Sequence, residues 1–481
     1  MESLMTWRFI FHHLTHTEKE VGMEDKLSEG RSGGMSSDEE LSVRVYEVLD
    51  QVGYSQSMVQ QRREAARERD VIMNGKREET TQLTAGSKGE GFAAPFESDT
   101  DRVFLYNYAV CRKPGNDSMS LPDTQYEFTM DGEHCHPGHF RQELIHKGTK
   151  ENSNIQQALF VNDKSRTLIS SELYRTSFIE DKTKETVSGP ALTGSDENQS
   201  WDMVYALRCT SQQQLLSEWI SRPRQHNWPT PDLVAEASKL EAQMVPVGCK
   251  SSEHKDIEWR VCFIPSEQRL TDSWDENQYK IYILLKLITK SQLKPISDEI
   301  SSFLLKNIML WYTEQNPTEM FQTKNLLQNV ISCLRNLQEA IKVNQLPYYM
   351  IPGRNLLTGR ISPEQQQQLI TKLDELIQEG PCVVLRCPKV HAALEMSPAA
   401  LAEKGSWRDE VEKLFLKTRN IWWTHWRPDM KKEEIDQIAQ SDPQYMNVRE
   451  GMCDLLWPQW REYQGDDRRD ILNKKRAEAL A

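Results

Sequence analysis

The chain has 481 residues, enough for two or three domains and a sizeable core, and its 27% charged residues describe a soluble protein with a very polar surface. No apolar run approaches the roughly 20 residues a bilayer-spanning helix needs; the longest, Ile281 to Ile288, is interrupted by Lys286. Nine cysteines without pairing periodicity argue for reduced thiols in the cytosol, and a net charge of -13 means that any contact with a phosphate backbone needs a local basic patch.

Residues 1–38 are polar, lack periodicity and read as a disordered segment, with Gly30-Arg-Ser-Gly-Gly-Met-Ser-Ser as linker. The start around Met5 lacks the apolar core and cleavage site of a signal peptide. From Leu41 the spacing Leu41, Val45, Val48, Leu49, Val52 predicts a helix. Arg62, Arg63, Arg67 and Arg69 cluster in the helical stretch that follows, with Arg63 and Arg67 one turn apart, and Lys76 and Arg77 come next. They are a candidate nucleic-acid contact. Glu64, Glu68, Asp70, Glu78 and Glu79 dilute the patch, and a salt-bridged solvent face is the plain alternative.

The stretch from Phe96 to Tyr106 reads as a strand, so Asp99 and Asp101 share a face with Val103 and Leu105, while Phe104, Tyr106 and Tyr108 take the other. Two adjacent acids repel unless a cation lies between them. A pair of divalent ions sharing these carboxylates with a triphosphate would align an attacking hydroxyl for in-line displacement. Gly86-Ser87, just upstream, would offer backbone amides and a hydroxyl to phosphates. Asp202, far along the chain, can join them only through tertiary folding, and Glu97 competes as a ligand on the face of Asp99. A solvated acidic pair at a strand mouth is the bland account.

The sheet should occupy roughly residues 83–265, with Gly194 to Ser200 as an exposed loop. His134-Cys135-His136-Pro-Gly-His139 is too short a chelate for tetrahedral zinc and reads as loop. After Lys280 the pattern turns helical: Leu326, Leu327, Val330, Ile331, Leu334, Leu337 and Ile341 form a core stripe, and Ser362-Pro363-Glu364-Gln365 is a capped helix start for a helix ending near Gly380. The last ninety residues hold Trp407, Trp422, Trp423, Trp426, Trp457 and Trp460, which suit a small helical appendage or a partner-docking surface. The Walker A pattern is missing.

The ordered succession Gly86-Ser87-Lys88-Gly89-Glu90-Gly91, Asp99-Thr100-Asp101, Trp201-Asp202-Met203-Val204, Asn227-Trp228-Pro229, Glu258-Trp259-Arg260-Val261-Cys262-Phe263, Tyr282–Lys286 and Leu346-Pro347-Tyr348-Tyr349-Met350-Ile351-Pro352 resembles the cyclic GMP-AMP synthase-like receptors, the male-abnormal family nucleotidyltransferases, and especially their invertebrate branch. The resemblance spans roughly residues 40–390. It implies an α+β, two-lobed nucleotidyltransferase fold with a mixed catalytic sheet and a C-terminal helical lobe. The divisions expected are residues 1–38, a core lobe 39–280 with a long N-terminal helix, a helical lobe 281–390 and a Trp-rich extension 391–481.

By position the resemblance implies that Asp99, Asp101 and Asp202 are catalytic and hold two Mg²⁺ or Mn²⁺ ions. It implies nucleotide contacts from Gly86, Ser87, Arg260, Lys286, Ser302 and Phe303, and duplex contacts from Arg62, Arg63 and Arg67. Phe303 stands where a tyrosine is expected and keeps a stacking face without the hydroxyl. The zinc cluster of the vertebrate synthase has no counterpart spacing, so no structural zinc is expected. The implied function is synthesis of a cyclic dinucleotide, with cyclic GMP-AMP first, from ATP and GTP on sensing double-stranded RNA or DNA, in the cytoplasm, with no membrane partner and oligomers forming on nucleic acid. A catalytically silent scaffold and a constitutive RNA-modifying transferase are the alternatives.

Overall fold

In the computed structural model, which describes residues 35–115, 121–181, 185–195, 200–463, 465 and 467–480, the first helix is set by a capping box. Ser36 Oγ accepts from the Glu39 amide at 3.3 Å, and Glu39 Oε2 accepts from the Ser36 amide at 2.9 Å. Helix α1 (Ser37–Leu49) therefore starts inside the expected linker, because Ser-Ser-Asp-Glu is a helix start as well as a polar run. Residues 1–34 of that expected segment lie outside the described residues. The longer helices that follow are α2 (Gln56–Asn74), α3 (Glu276–Ile288), α4 (Ser302–Gln315), α5 (Leu326–Lys342), α6 (Pro363–Gln378), α7 (Pro398–His425), α8 (Lys432–Ser441), α9 (Pro443–Leu456) and α10 (Arg468–Leu480).

The chain forms two units. One, helical, takes the described residues up to Glu47, Ser221–Trp228 and Lys280–His391; the other, built on the sheet, takes Val48–Ile220, Pro229–Tyr279 and the chain from Ala392 onward. With helices beside a mixed sheet, the chain is of the α+β kind.

In the helical unit the predicted stripe of α5 is buried along its length, and the amide of Leu327 at its start donates to the buried Ser42 hydroxyl at 3.3 Å. Helix α6 carries the predicted capping box on Ser362 and ends just before Gly380, which has φ +65°. The short Ser221–Trp228 segment joins this unit through charge. Arg222 Nη2 donates to Glu314 Oε2 at 2.8 Å, Tyr349 Oη donates to the same oxygen at 2.6 Å, and Arg222 stacks over Trp311.

In the sheet unit the strands are β1 (Thr80–Thr84), β2 (Thr100–Arg112), β3 (Tyr126–Asp131), β4 (His139–His146), β5 (Leu159–Val161), β6 (Thr167–Ile169), β7 (Thr186–Ser188), β8 (Ala191–Ser195), β9 (Ser200–Cys209), β10 (Ala242–Val245) and β11 (Glu258–Cys262). One edge of β2 pairs antiparallel with β1 and then parallel with β3; its other edge runs parallel to β9. Antiparallel pairings β3–β4, β4–β11, β11–β10 and β10–β9 close the circuit back to β2. Ala85, Val103, Leu105, Ala206 and Val245 make an apolar cluster on one sheet face.

The Trp-rich segment packs as helices α7–α10 around Val411, Phe415, Met452, Leu456 and Leu472. Among the described residues three of its six indoles are hydrogen-bonded: Trp407 Nε1 donates to the Leu455 carbonyl, Trp422 Nε1 to Asp436 and Trp460 Nε1 to Asp454. Lys76 caps the end of α7, its Nζ donating to the carbonyls of Trp423 and Trp426 at 3.2 and 2.7 Å and to that of Thr424, a cation at the negative end of the helix dipole. The strongest tie is buried. Arg62 on α2 donates from Nε and Nη2 to the two oxygens of Glu412 on α7, at 2.5 and 2.8 Å, and Arg408 reaches the same carboxylate at 3.1 Å. Burial works against the charge on Arg62, but the Glu412 carboxylate more than offsets it and raises its pKa. Glu412→Ala leaves the buried Arg62 guanidinium without its paired carboxylate and Arg408 with Asp409 alone, and is expected to destabilise the sheet unit by about 3–5 kcal/mol, read as a lower denaturation midpoint in urea.

Candidate active site

Strand β2 begins at Thr100 rather than at Phe96. Glu97 is folded back, accepting from the Ala94 amide at 2.7 Å and from Tyr54 Oη at 2.8 Å, so it does not extend the face of Asp99 as a strand residue would. The parallel ladder sets Asp101 directly opposite Asp202, and partners in register point to the same face. Two strands further, Thr193 is the antiparallel partner of Asp202 and its Oγ1 donates to Asp202 Oδ1 at 2.7 Å. Asp99, exposed at the strand mouth, accepts from the Ser200 hydroxyl.

The carboxylates act on one another. Burial pushes Asp101 up to about 7, and the neighbouring Asp202 and Asp99 carboxylates add to it, with Lys88 opposing. Asp202 is raised by burial, with Asp99 adding and the Thr193 hydroxyl opposing. Lys88 is pressed down to about 7, first by burial and then by Arg419 and Arg69, against the pull of Asp101 and Asp99. Its Nζ donates to Thr100 Oγ1 at 3.1 Å.

The glycine turn abuts these acids. The Ala85 amide donates to the Asp101 carbonyl at 2.9 Å, and Gly86, with φ +62°, sits so close that a Cβ on it would lie 1.9 Å from Asp101 Oδ2. Gly86–Gly89 form a single helical turn in which Ser87 is buried. At the far end Gly91 has φ +76° and its Cβ position would lie 2.4 Å from the Val59 carbonyl.

Arg62 and Arg63 hold this turn from below: Arg62 Nη1 donates to the Gly91 carbonyl at 3.3 Å and Arg63 Nε to the Glu90 carbonyl at 2.9 Å. Both are buried, which corrects their expected place on a nucleic-acid face: the side chains are spent inside the protein. Arg67 is 55% exposed and paired with Asp272, so it is the member of that trio that reaches solvent.

Arg260 on β11 is the register partner of Val245, which lies on the face of the Ala85–Val103–Ala206 cluster, so Arg260 rises from the same face as Asp101 and Asp202. Its Nε is enclosed without a hydrogen-bond partner. Lys286, Ser302 and Phe303 belong to the helical unit. There Lys286 Nζ lies 5.6 Å over the Tyr282 ring, Tyr282 Oη donates to the Ser302 carbonyl at 3.3 Å, and the half-buried Phe303 lies 5.9 Å from Tyr348, centroid to centroid. The His134–His139 run forms the turn between β3 and β4, where His136 meets Ser251 and Cys135 the Asp131 carbonyl.

Sequence reading passed over Lys88, Thr193 and Ser200. Lys88 stands inside the quoted glycine turn and was legible as a cation next to a phosphate-type loop. Thr193 becomes visible only once strands β8 and β9 are paired, and Ser200 only once β9 is paired with β2.

Residues 277–375 match the family model described as the Mab-21 protein HhH/H2TH-like domain. The match begins in α3, ends in α6 and supports a place in the Mab-21 nucleotidyltransferase-like family. No curated protein matches the chain. Among the described residues no helix is long and apolar enough to cross a membrane.

Among the described residues no three His, Cys, Asp or Glu side chains converge as a metal-holding group, since Asp99 and Asp202 are each turned onto a hydroxyl. The donor set nevertheless fits a hard divalent cation: oxygen-only ligands whose mutual repulsion, seen in the raised Asp101, a cation would relieve. The raised pKa of Asp101 means that its contribution to stability is present below the ordinary carboxylate range and is lost as pH rises through about 7. Lys88 has the opposite sign, its contribution being present above the ordinary lysine range and lost as pH falls through about 7. Asp101→Asn is therefore expected to raise Tm at pH 8 by about 2–4 °C or more, the shift of one kcal/mol in a domain of this size, and by less at pH 5. Millimolar Mn²⁺ should raise the wild-type Tm at pH 8 and leave that of the variant unmoved; scanning calorimetry at both pH values checks both statements.

Proposed function

We propose that the protein is a nucleotidyltransferase that joins ATP and GTP into a cyclic dinucleotide, cyclic GMP-AMP first among the products. The observation that carries this reading is the register pairing of Asp101 with Asp202, next to Asp99 and against a glycine turn. The Mab-21 domain match supports the nucleotidyltransferase part. Asp99, Asp101 and Asp202 would hold two Mg²⁺ or Mn²⁺ ions, which when bound supply charge neutralisation for a triphosphate and a more acidic ribose hydroxyl.

The chain's own residues bind and orient. Gly86 and Ser87 offer backbone amides and a hydroxyl to phosphate oxygens, in a turn kept in shape by Arg62 and Arg63. Lys88 adds an ammonium next to Asp99 and Asp101 and pins the turn to the start of β2. Arg260, with an unpaired Nε on the acid face, is suited to the acceptor nucleotide's phosphate. In the helical unit Lys286 and Ser302 supply phosphate contacts and Phe303 a ring on which a purine stacks. Double-stranded RNA or DNA would activate the enzyme as a cytoplasmic innate-immune sensor. With Arg62 and Arg63 buried, Arg67 is the expected arginine still available for that duplex.

A second reading, a catalytically silent binding scaffold, is favoured by the turn of Asp99 and Asp202 onto Ser200 and Thr193. Incubation with four labelled triphosphates, Mg²⁺ or Mn²⁺, and duplex RNA, duplex DNA or neither separates the readings. The expected outcome is a phosphatase-resistant product with one duplex, reduced at least about a hundredfold by Asp101→Asn in a protein that still melts cooperatively. A linear product formed without duplex points to an RNA-modifying transferase, and no product under any condition leaves the scaffold.

A further inference from the structure

The sheet face opposite the acids is built from the other set of β2 side chains. Thr100, Arg102 and Phe104 alternate with Asp101 and Val103, and the register adds Thr84 opposite Arg102 and Tyr205 opposite Phe104. Two guanidinium groups lie over aromatic rings here. Arg77 is 4.8 Å above the Phe104 ring and 4.9 Å from that of Trp426, and Arg102 is 5.3 Å from the Trp423 ring, the two tryptophans coming from the end of α7. A guanidinium stacked on its face keeps its edge N–H groups for in-plane acceptors.

Those acceptors are missing. Among the described residues neither the Arg77 nor the Arg102 side chain makes a hydrogen bond or an ion pair, and the Nε of each is enclosed without a partner. Behind them Arg69 gives Nη2 to Thr84 Oγ1 at 2.9 Å and has an unpaired Nε of its own. The carboxylate that acts on Arg102 is Asp70, but its oxygens are taken by the Gln82 side chain and by the amide and hydroxyl of Thr84. Arg69 and Arg102 thus share one carboxylate that is already engaged, with Arg77 as a further cation beside Arg102, a combination that costs stability until an anion enters.

We infer that Arg77 and Arg102, backed by Arg69 and flanked by Trp423 and Trp426, form a second site, distinct from the acid face, that binds a small phosphate-bearing anion. Two guanidinium forks match the oxygens of a phosphate or polyphosphate group, and the tryptophan rings give the site an apolar rim.

The test uses the full chain with EDTA present, so that a cation-bridged triphosphate at the acids does not contribute. Sodium tripolyphosphate, titrated at constant ionic strength, should bind by calorimetry and raise Tm in a dose-dependent way. Arg77→Gln with Arg102→Gln should weaken binding at least tenfold while Tm without anion does not fall, because two mutually repelling cations are gone; Asp101→Asn should bind as wild type does. If the double variant fails to fold, Arg102→Lys, which keeps the charge and loses the fork, should show the same weakening. Absence of binding to wild type, an unchanged affinity in the arginine variants, or a single-stranded oligonucleotide of equal charge binding far more tightly than tripolyphosphate would each overturn the assignment.

Discussion

Asp101 and Asp202 face each other because β2 and β9 run parallel and in register, and the ladder does not let either side chain escape to the other face. Like charges on adjacent strands oppose folding. The pair persists because the same two strands bury Val103, Leu105 and Ala206 immediately behind the acids, so the apolar cluster and the carboxylates share one register. A slip of one residue would bring the acids apart only by turning that cluster outward. The repulsion at the strand mouths is therefore held in place by burial further along the same strands.

A chain of contacts supports the turn that touches this pair. Gly86 leaves no room for a side chain against Asp101, Arg62 and Arg63 grip the carbonyls at the end of the turn, and Glu412 on α7 neutralises Arg62. A carboxylate from the Trp-rich segment thus stands two contacts away from the candidate phosphate loop. The Trp-rich helices are part of the scaffold of the candidate site as well as a cover for its opposite face.

The sheet, the helical stretch after Lys280, the α5 stripe and the capping box of α6 were legible because each is a local pattern of period or cap chemistry. Asp101 and Asp202 were legible as acids in strands, whereas Asp99 stands just before β2. Hidden in the sequence was what each charge would meet. Arg62 and Arg67 look alike in a run of Arg and Glu, yet one is enclosed by Glu412 from far along the chain and the other reaches solvent. Glu97 looked like a strand neighbour of Asp99 until the turn at Ala94 claimed it. Sequence spacing fixes which side chains share a face; it does not say which distant carboxylate or hydroxyl arrives there.

The sheet unit is discontinuous in the chain: it opens at Val48, is left twice for the helical unit and resumes at Ala392. Arg62 and Glu412 are separated by 350 positions. On the ribosome, α2 and the glycine turn emerge long before the counter-ion that their buried guanidinium requires, while the whole helical unit is translated in between. A nascent chain stalled near residue 390 would thus present an unfinished sheet unit with a naked internal charge, an obvious client for folding helpers and degradation, and emergence of α7 from the exit tunnel becomes the event that completes the unit.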